Sequence, residues 1–260
     1  MEKVKNIIYK SKRLLYNLLF PPKCMGCGGL YQKDIFDECR VPFCEKCRLK
    51  WEYEKLDRCP DCKLEMTICN CGSRLLKKLE IDDCVKLINY TPMKNTIGRT
   101  VILSLKRKKN GSAFSYFASQ LSHAVRGRLA GFDKEKTVLT YVPRSQKSVA
   151  VYGFDQSKEL AKRLSKEIGI KFVPLFSRTG KKAGEQKKLT LSQRLENANG
   201  TYKLNKNPQK KLEGVECVLL LDDVLTSGAS LSGCILALKP VFKGKIVCVT
   251  LGRTGKKGKK

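Results

Sequence analysis

Two adjacent carboxylates, Asp222 and Asp223, precede a short run of small and hydroxylated residues. The members of this run are Thr226, Ser227, Gly228, Ala229 and Ser230. Such residues allow backbone N–H groups and hydroxyl oxygens to close around a phosphate at a helix N-terminus. Two acids at the carboxyl end of a strand can bind the hydroxyls of a sugar or a magnesium-bound diol. The stretch therefore predicts a site for a sugar phosphate.

The residues on either side of this run must form the elements that position it. The apolar residues 218–221 have the length and composition of a strand buried on both faces. Apolar residues then recur at helical spacing from Leu231 to Leu238. An ordinary strand followed by a helix that Thr226 or Ser227 caps is the alternative. That alternative accounts for one acid and one hydroxyl, but not for both acids and the whole polar run.

The cysteines form a second group of residues that could do chemistry. Ten of the thirteen occur before residue 85, and eight of these stand in closely spaced pairs. Paired thiolates separated by one or two residues can reach one tetrahedral metal ion, so the eight predict two structural zinc sites. A disulfide framework is the alternative, which a cytosolic location would disfavour. The first predicted site comprises Cys24, Cys27, Cys44 and Cys47, and the second comprises Cys59, Cys62, Cys69 and Cys71.

Five cysteines lie outside these two sets. Cys39 and Cys84 are unassigned and could be free thiols. Cys217, Cys234 and Cys248 stand in apolar strand or helix contexts, which predicts that they are buried as small hydrophobic side chains.

The charge of the chain favours polyanionic partners. Lysine and arginine number 53 against 24 acids, for a formal net charge of +29. Nucleic acid, phosphorylated ligands and an anionic membrane surface are all compatible with this excess. Two four-thiolate zinc sites would lower it by only about four units. A coding bias toward lysine is the alternative explanation.

Strands and helices alternate from about residue 85 onward, which predicts an α/β fold with a parallel sheet flanked by helices. We divide the chain into an N-terminal amphipathic helix (1–22), a cysteine-rich double zinc ribbon (23–75), an α/β domain (76–255) and a basic tail (256–260). No secretory signal and no stretch of membrane-spanning length is evident, so we expect a cytoplasmic protein without a transmembrane segment. Packing of the first helix on the protein is expected, with membrane-surface binding as the alternative.

Residues 218–230 resemble the thirteen-residue signature of type I phosphoribosyltransferases, which bind phosphoribosyl pyrophosphate. The resemblance implies that Asp222 and Asp223 are the catalytic acids that address the ribose hydroxyls, with magnesium, and that residues 226–230 surround the 5′-phosphate. In such proteins the loop after an earlier strand holds the pyrophosphate. Arg144 and Lys147, which follow the predicted strand 137–142, are the candidates for that anion, with ordinary surface charge as the alternative for each.

A second motif, the sequence Gly-Phe-Asp-Gln-Ser at residues 153–157, is similar to the ComF family of competence and DNA-uptake proteins. Tyr152 and Asp155 replace the arginine and asparagine that are usual in that family. The basic loop from Arg178 through Gln186 to Arg194 also resembles the family's spacing, and it lies where these transferases carry a mobile lid over the reacting centre.

The resemblance implies a double zinc ribbon joined to a phosphoribosyltransferase-like domain. It also implies binding of phosphoribosyl pyrophosphate with magnesium, and a role in DNA uptake with single-stranded DNA and a separate ATPase as partners. The nucleic acid would contact the zinc ribbon, residues 106–109 and the lysines within 181–188. The alternatives are an active phosphoribosyltransferase of nucleotide metabolism or salvage, and a non-catalytic regulator that senses a sugar phosphate.

Overall fold

The computed structural model describes residues 19–31, 41–92, 95–180 and 190–254. Most of the predicted N-terminal helix, Cys39, Gln186, the lysines within 181–188 and the basic tail therefore lie outside the described residues.

A five-stranded sheet forms the centre of the fold, and all of its strands are parallel. The strands are β1 (Cys84–Asn89), β2 (Thr137–Tyr141), β3 (Lys171–Phe172), β6 (Cys217–Leu225) and β7 (Lys245–Arg253). Along the sheet the strand order is β1-β7-β6-β2-β3. The parallel sheet that the alternating pattern predicts is thus confirmed.

Helices cover both faces of this sheet. On one face α3 (Ile97–Arg107), α4 (Gly111–Arg128) and α6 (Gln156–Ile168) contribute to one apolar core. On the other face α2 (Arg74–Lys78) and α9 (Ala229–Leu238) contribute to a second apolar core. The described residues therefore form an α/β sandwich of three layers.

Strand β6 lies at the middle of the sheet because its apolar residues serve both cores. Val218 and Leu220 belong to one core, whereas Leu219 and Leu221 belong to the other. The predicted strand ended at Leu221, but β6 continues to Leu225. The continuation follows from pairing, because β7 is equally long and places Arg253 opposite Leu225. The two acids therefore lie within the strand as it leaves the core.

Shorter elements lie in the connections between the strands of the sheet. An antiparallel pair, β4 (Phe176–Arg178) and β5 (Tyr202–Leu204), encloses α7 (Leu191–Ala198) in the chain. The predicted strand over residues 171–175 is shorter, since β3 ends at Phe172. Two further helices, α5 (Gln146–Tyr152) and α8 (Pro208–Leu212), had no counterpart in the sequence analysis.

The cysteine-rich segment is not separate from the sheet. Its helix α1 (Glu45–Lys55) buries Trp51 completely within the core that α4 shares. Across the described parts of the chain, no helix combines the length and apolarity that crossing a membrane requires.

Candidate functional site

The carboxyl ends of β2 and β6 form the natural ligand site of this sheet. From β2 the chain continues to β3 on one side, whereas from β6 it continues to β7 on the other. The crevice between β2 and β6 is therefore a topological switch point, where open α/β sheets bind their ligands. The acids, the small-residue loop and Arg144 all lie at this edge.

The acid pair is half-buried at the end of β6. The backbone N–H of Asp223 donates to Asp222 Oδ1 at 2.8 Å, which fixes that carboxylate against the strand. Burial, together with the negative charge of Asp223, raises the pKa of Asp222 well above its ordinary value. A cation bound at the pair would lower the pKa of Asp222 again, because an opposite charge favours the ionised carboxylate.

Asp223 also has two side-chain partners that come from other elements. Lys106 Nζ at the end of α3 lies 3.1 Å from Asp223 Oδ2. Gln156 Nε2 at the start of α6 donates to the same oxygen at 2.9 Å. The sequence analysis assigned Lys106 to a basic run for nucleic acid and gave Gln156 no role. Only the Gly-Phe-Asp-Gln-Ser motif marked the position of Gln156.

The loop after the acids turns sharply into α9. Gly228 stands at the N-cap with φ = 84°, a left-handed conformation that favours glycine. A Cβ atom at Gly228 would lie 2.2 Å from Ser73 Oγ, so the loop packs directly on the segment that follows the second cysteine set. The N-cap position is therefore Gly228 rather than Thr226 or Ser227, although Ser227 Oγ accepts from the backbone N–H of Ala229 at 3.4 Å. Thr226 and Ser230 are exposed beside the N-terminus of this ten-residue helix.

Arg144 is built into the edge of the sheet. Its backbone N–H donates to Asp155 Oδ2 at 2.7 Å, and its guanidinium donates to the carbonyl of Lys106 at 2.9 Å. The guanidinium also lies 4.5 Å from the ring centre of Tyr152. These contacts involve both Asp155 and Tyr152. Lys147, in contrast, is exposed on α5.

Burial raises the pKa of Asp155 above its ordinary value. The hydrogen bonds that its carboxylate accepts from backbone N–H groups offset this effect only in part. Asp155 also caps α6, because its Oδ1 accepts from the N–H of Lys158 at 3.1 Å.

The residues of the predicted lid have different positions. Arg178 ends β4 with its guanidinium 5.7 Å from the ring centre of Tyr202. Arg194 is half-buried in α7, and Gln186 lies outside the described residues. Helix α7 packs on α9 so closely that a Cβ at Gly233 would lie 2.8 Å from the carbonyl oxygen of Ala198. Burial raises the pKa of Tyr202 to about 12.

The eight paired cysteines form the two sets that their spacing predicts. In each set the four Sγ atoms lie within 4.8 Å of one another. A tetrahedral zinc ion with Zn–S bonds of about 2.3 Å requires sulfur–sulfur distances of about 3.8 Å, so each set could hold one zinc ion. In the first set Cys27 Sγ and Cys44 Sγ are 3.9 Å apart, and in the second Cys62 Sγ and Cys69 Sγ are 3.3 Å apart.

Two of these thiols, one in each set, have a lowered pKa. Burial alone would raise the pKa of Cys24, but hydrogen bonds from backbone N–H groups, including that of Cys44, outweigh it and lower the pKa to about 7. In the second set the N–H groups of Cys62 and Asp61 outweigh burial in the same way and lower the pKa of Cys59 to about 7. Metal ligation requires the thiolate, so these backbone contacts favour metal binding.

The remaining described cysteines lie in the sheet and α9. Cys217, Cys234 and Cys248 are completely buried, as predicted. Cys84 is also buried, and it pairs in register with Cys248 on the neighbouring strand.

Neither a scan against protein-family models nor a search of curated proteins found a match to this chain.

Proposed function

We propose that the protein binds phosphoribosyl pyrophosphate, with Mg²⁺, at the carboxyl edge between β2 and β6. The observation that carries the proposal is the coincidence of three features at the topological switch point. These are the acid pair at the end of the central strand, the left-handed glycine that opens α9, and Arg144 across the crevice. Each feature suits a different part of a sugar phosphate.

Each group of residues would bind a different part of the ligand. Asp222 and Asp223 would accept hydrogen bonds from the ribose hydroxyls, directly or through the metal ion. Residues 226–230 would surround the 5′-phosphate, because the helix N-terminus offers N–H groups and a favourable dipole. Arg144 and Lys147 would bind the pyrophosphate, with Arg144 already held in place by Lys106 and Tyr152. Magnesium would neutralise part of the pyrophosphate charge.

The test is a calorimetric titration of the metal-loaded protein with phosphoribosyl pyrophosphate and Mg²⁺. We expect binding by the wild type and its loss in the Asp222→Ala/Asp223→Ala variant, with the thermal unfolding midpoint retained. The matched control is Asp57→Asn/Glu213→Gln, which removes two exposed acids away from the site. Normal binding by the double alanine variant, or no binding by the wild type, would overturn the proposal.

Single-stranded DNA is a second candidate ligand, and the position of three exposed cations favours it. Arg107 is the last residue of α3, Lys108 follows it, and Lys147 lies on α5. The hydrogen bond from Arg144 to the carbonyl of Lys106 brings these two segments together. Two other lysines of the basic run have acidic partners, since Lys106 pairs with Asp223 and Lys109 lies 3.5 Å from Glu159. The exposed cations would thus contact a DNA backbone beside the proposed site.

DNA binding can be measured by fluorescence anisotropy with a short labelled oligonucleotide at several salt concentrations. Each phosphate contact contributes about −0.7 to the slope of log K against log salt for single strands. The variant Arg107→Gln/Lys108→Gln/Lys147→Gln should therefore bind more weakly and with a flatter slope. The control Lys134→Gln/Lys210→Gln/Lys243→Gln changes the same charge on exposed residues near the amino ends of the strands. Equal losses in both variants would show that DNA responds only to net charge.

A further inference from the structure

The buried glutamine beside the acid pair has a polar atom that the protein leaves unpaired. Gln156 is the first residue of α6, directly after the cap Asp155, and its residue exposure is 8%. Its Nε2 donates to Asp223 Oδ2, but its Oε1 is buried and has no hydrogen-bond partner among the described residues. A buried acceptor without a donor is unfavourable, so this atom requires an explanation.

The orientation of the amide follows from its neighbour. An ionised carboxylate can only accept hydrogen bonds, so Asp223 requires the N–H₂ end of the amide. Lys106 Nζ lies 3.1 Å from the same carboxylate oxygen and forms an ion pair with it. A flipped amide would bring two oxygen acceptors together. Oε1 is therefore held as an acceptor beside the acid pair.

A ligand that enters the site with a hydrogen-bond donor would supply the missing partner. Ionised phosphate and pyrophosphate oxygens cannot donate a hydrogen bond, and an ionised carboxylate cannot either. A sugar hydroxyl can donate to Oε1 while a second hydroxyl donates to the neighbouring acid pair. The chemistry around Gln156 thus selects a hydroxyl of the sugar rather than any part of the phosphate.

We propose that Gln156 is a specificity-determining residue whose Oε1 accepts a hydrogen bond from one of the vicinal ribose hydroxyls. This inference rests on the proposed function, because it assigns a further contact within the same site. It predicts that the site distinguishes ribose 5-phosphate from an analogue that lacks that hydroxyl. A buried polar group left unpaired by the wrong ligand is an effective means of such discrimination.

The test is a cycle in which one partner is changed on the protein and the other on the ligand. Affinities are measured for ribose 5-phosphate, 2-deoxyribose 5-phosphate and 3-deoxyribose 5-phosphate with the wild type and with Gln156→Met. We expect the wild type to bind ribose 5-phosphate about tenfold more tightly than one of the two analogues, as one well-made hydrogen bond provides. In Gln156→Met this ratio should fall to about one.

The ratio of the affinities for ribose 5-phosphate and its deoxy analogue distinguishes a change in specificity from a general loss of ligand binding. Gln156→Met also removes a donor from Asp223, but that change weakens all three ligands together and leaves the ratio unaltered. Gln120→Met is the matched control, since Gln120 Oε1 on α4 already accepts from Lys55 Nζ at 2.7 Å. It should retain the tenfold preference.

Each remaining outcome counts for or against the proposal. If the wild type binds none of the sugar phosphates nor phosphoribosyl pyrophosphate, the proposed function itself fails. If it binds all three sugar phosphates equally, or if Gln156→Met keeps the full preference, the inference about Gln156 fails while the proposed function stands.

Should Gln156→Met not fold, the side-chain carbonyl resonance of Gln156 in wild-type protein gives an independent test by NMR. It should shift with ribose 5-phosphate and not with the discriminated analogue, and equal shifts with both would overturn the inference.

Discussion

Although the two cysteine clusters have the same number of ligands, the first is joined to the α/β core by aromatic packing and the second by charged and hydroxyl groups. In the first cluster, Phe43 next to Cys44 stacks on Trp51 with ring centres 6.1 Å apart. Trp51 in turn meets Phe117 of α4 edge-on at 5.2 Å. The first cluster is therefore continuous with the main apolar core.

The second cluster has only a small apolar core of its own. Arg253 at the end of β7 donates to Cys59 Sγ at 3.3 Å and also to Asp61. Lys86 of β1 is completely buried and donates to the carbonyl oxygens of Cys69 at 2.6 Å and Cys84 at 3.0 Å. Both cations favour thiolates, and both are carried by strands of the sheet.

Two clusters with the same four cysteine ligands can thus stabilise different parts of one protein. Loss of the first cluster would expose the apolar core. The second cluster instead meets the proposed ligand site, because Ser73 packs on Gly228 and Arg253 lies opposite Leu225. We therefore expect the first cluster to determine global stability and the second to determine the geometry of the phosphate loop.

The largest expected effect comes from removing the first cluster. Structural zinc sites contribute about 10 kcal/mol or more to folding in small domains, so Cys24→Ser/Cys47→Ser should lose one zinc equivalent and much of its stability. A fall of the unfolding midpoint by about 20 °C or more is expected, since 1 kcal/mol corresponds to about 2–4 °C at this size. Metal analysis and calorimetry measure both quantities.

The comparison variant is Cys59→Ser/Cys69→Ser. It should also lose one zinc equivalent, but with a smaller fall in the midpoint and a clear loss of sugar-phosphate affinity. Equal midpoints and equal affinities in the two double variants would refute the difference between the clusters.

The next largest effect is expected at Arg253. Its side chain is 6% exposed, and Arg253→Met would leave Asp61 and the thiolate of Cys59 without their cation. Breaking a buried pair in this way costs about 3–5 kcal/mol, which urea unfolding would measure. Lys136→Met, which breaks an exposed pair with Glu216, is the control and should hardly change the midpoint. A similar small change in Arg253→Met would show that the second cluster does not depend on this cation.

A smaller effect is expected at the contact between the second cluster and the loop. Gly228→Ala combines a left-handed conformation, which costs about 1–2 kcal/mol, with a Cβ too close to Ser73 Oγ. Phosphoribosyl pyrophosphate should bind more weakly as the loop shifts. Adding Ser73→Gly should restore part of the affinity by making room, although it removes the cap of α2. No recovery in the double variant would show that this contact does not position the loop.

The smallest effect concerns the first cluster and pH. Glu54 of α1 accepts from the backbone N–H groups of Ile97 at 2.6 Å and Gly98 at 2.8 Å. Burial raises the pKa of Glu54 above its ordinary value, and the two N–H groups only partly offset this. The folded protein therefore binds the proton more tightly than the unfolded chain. The protonated carboxyl of Glu54 therefore stabilises the fold below the ordinary pKa of glutamate. This stabilisation is lost as pH rises through the raised pKa of the folded state.

Unfolding by urea at a series of pH values measures this dependence. Glu54→Gln should flatten the profile in that window, because the glutamine does not titrate. An unchanged profile would show that Glu54 does not contribute to it.

Local sequence patterns predicted the cysteine clusters and the main elements of the sheet, because these features depend on residues that are close together in the chain. Cysteine pairs separated by one or two residues predicted both clusters, since a tight turn alone brings two sulfurs together. The apolar run at 218–221 predicted the central strand, and the alternation of elements predicted the parallel sheet. The strand–acid–loop–helix order placed the acids at the carboxyl edge for the same reason.

Tertiary structure decided which distant side chains complete the site. Lys106 and Gln156 meet at Asp223 although they are separated from it by more than sixty residues, and no spacing rule relates such positions. Ser73 against Gly228 depends on how α2 packs beneath α9. The length of β6 depended on its partner β7, because backbone pairing extends a strand past the point where its apolar run ends. The sequence by itself thus determined the local elements and the metal-binding sets, whereas packing between elements decided the partners of each functional group.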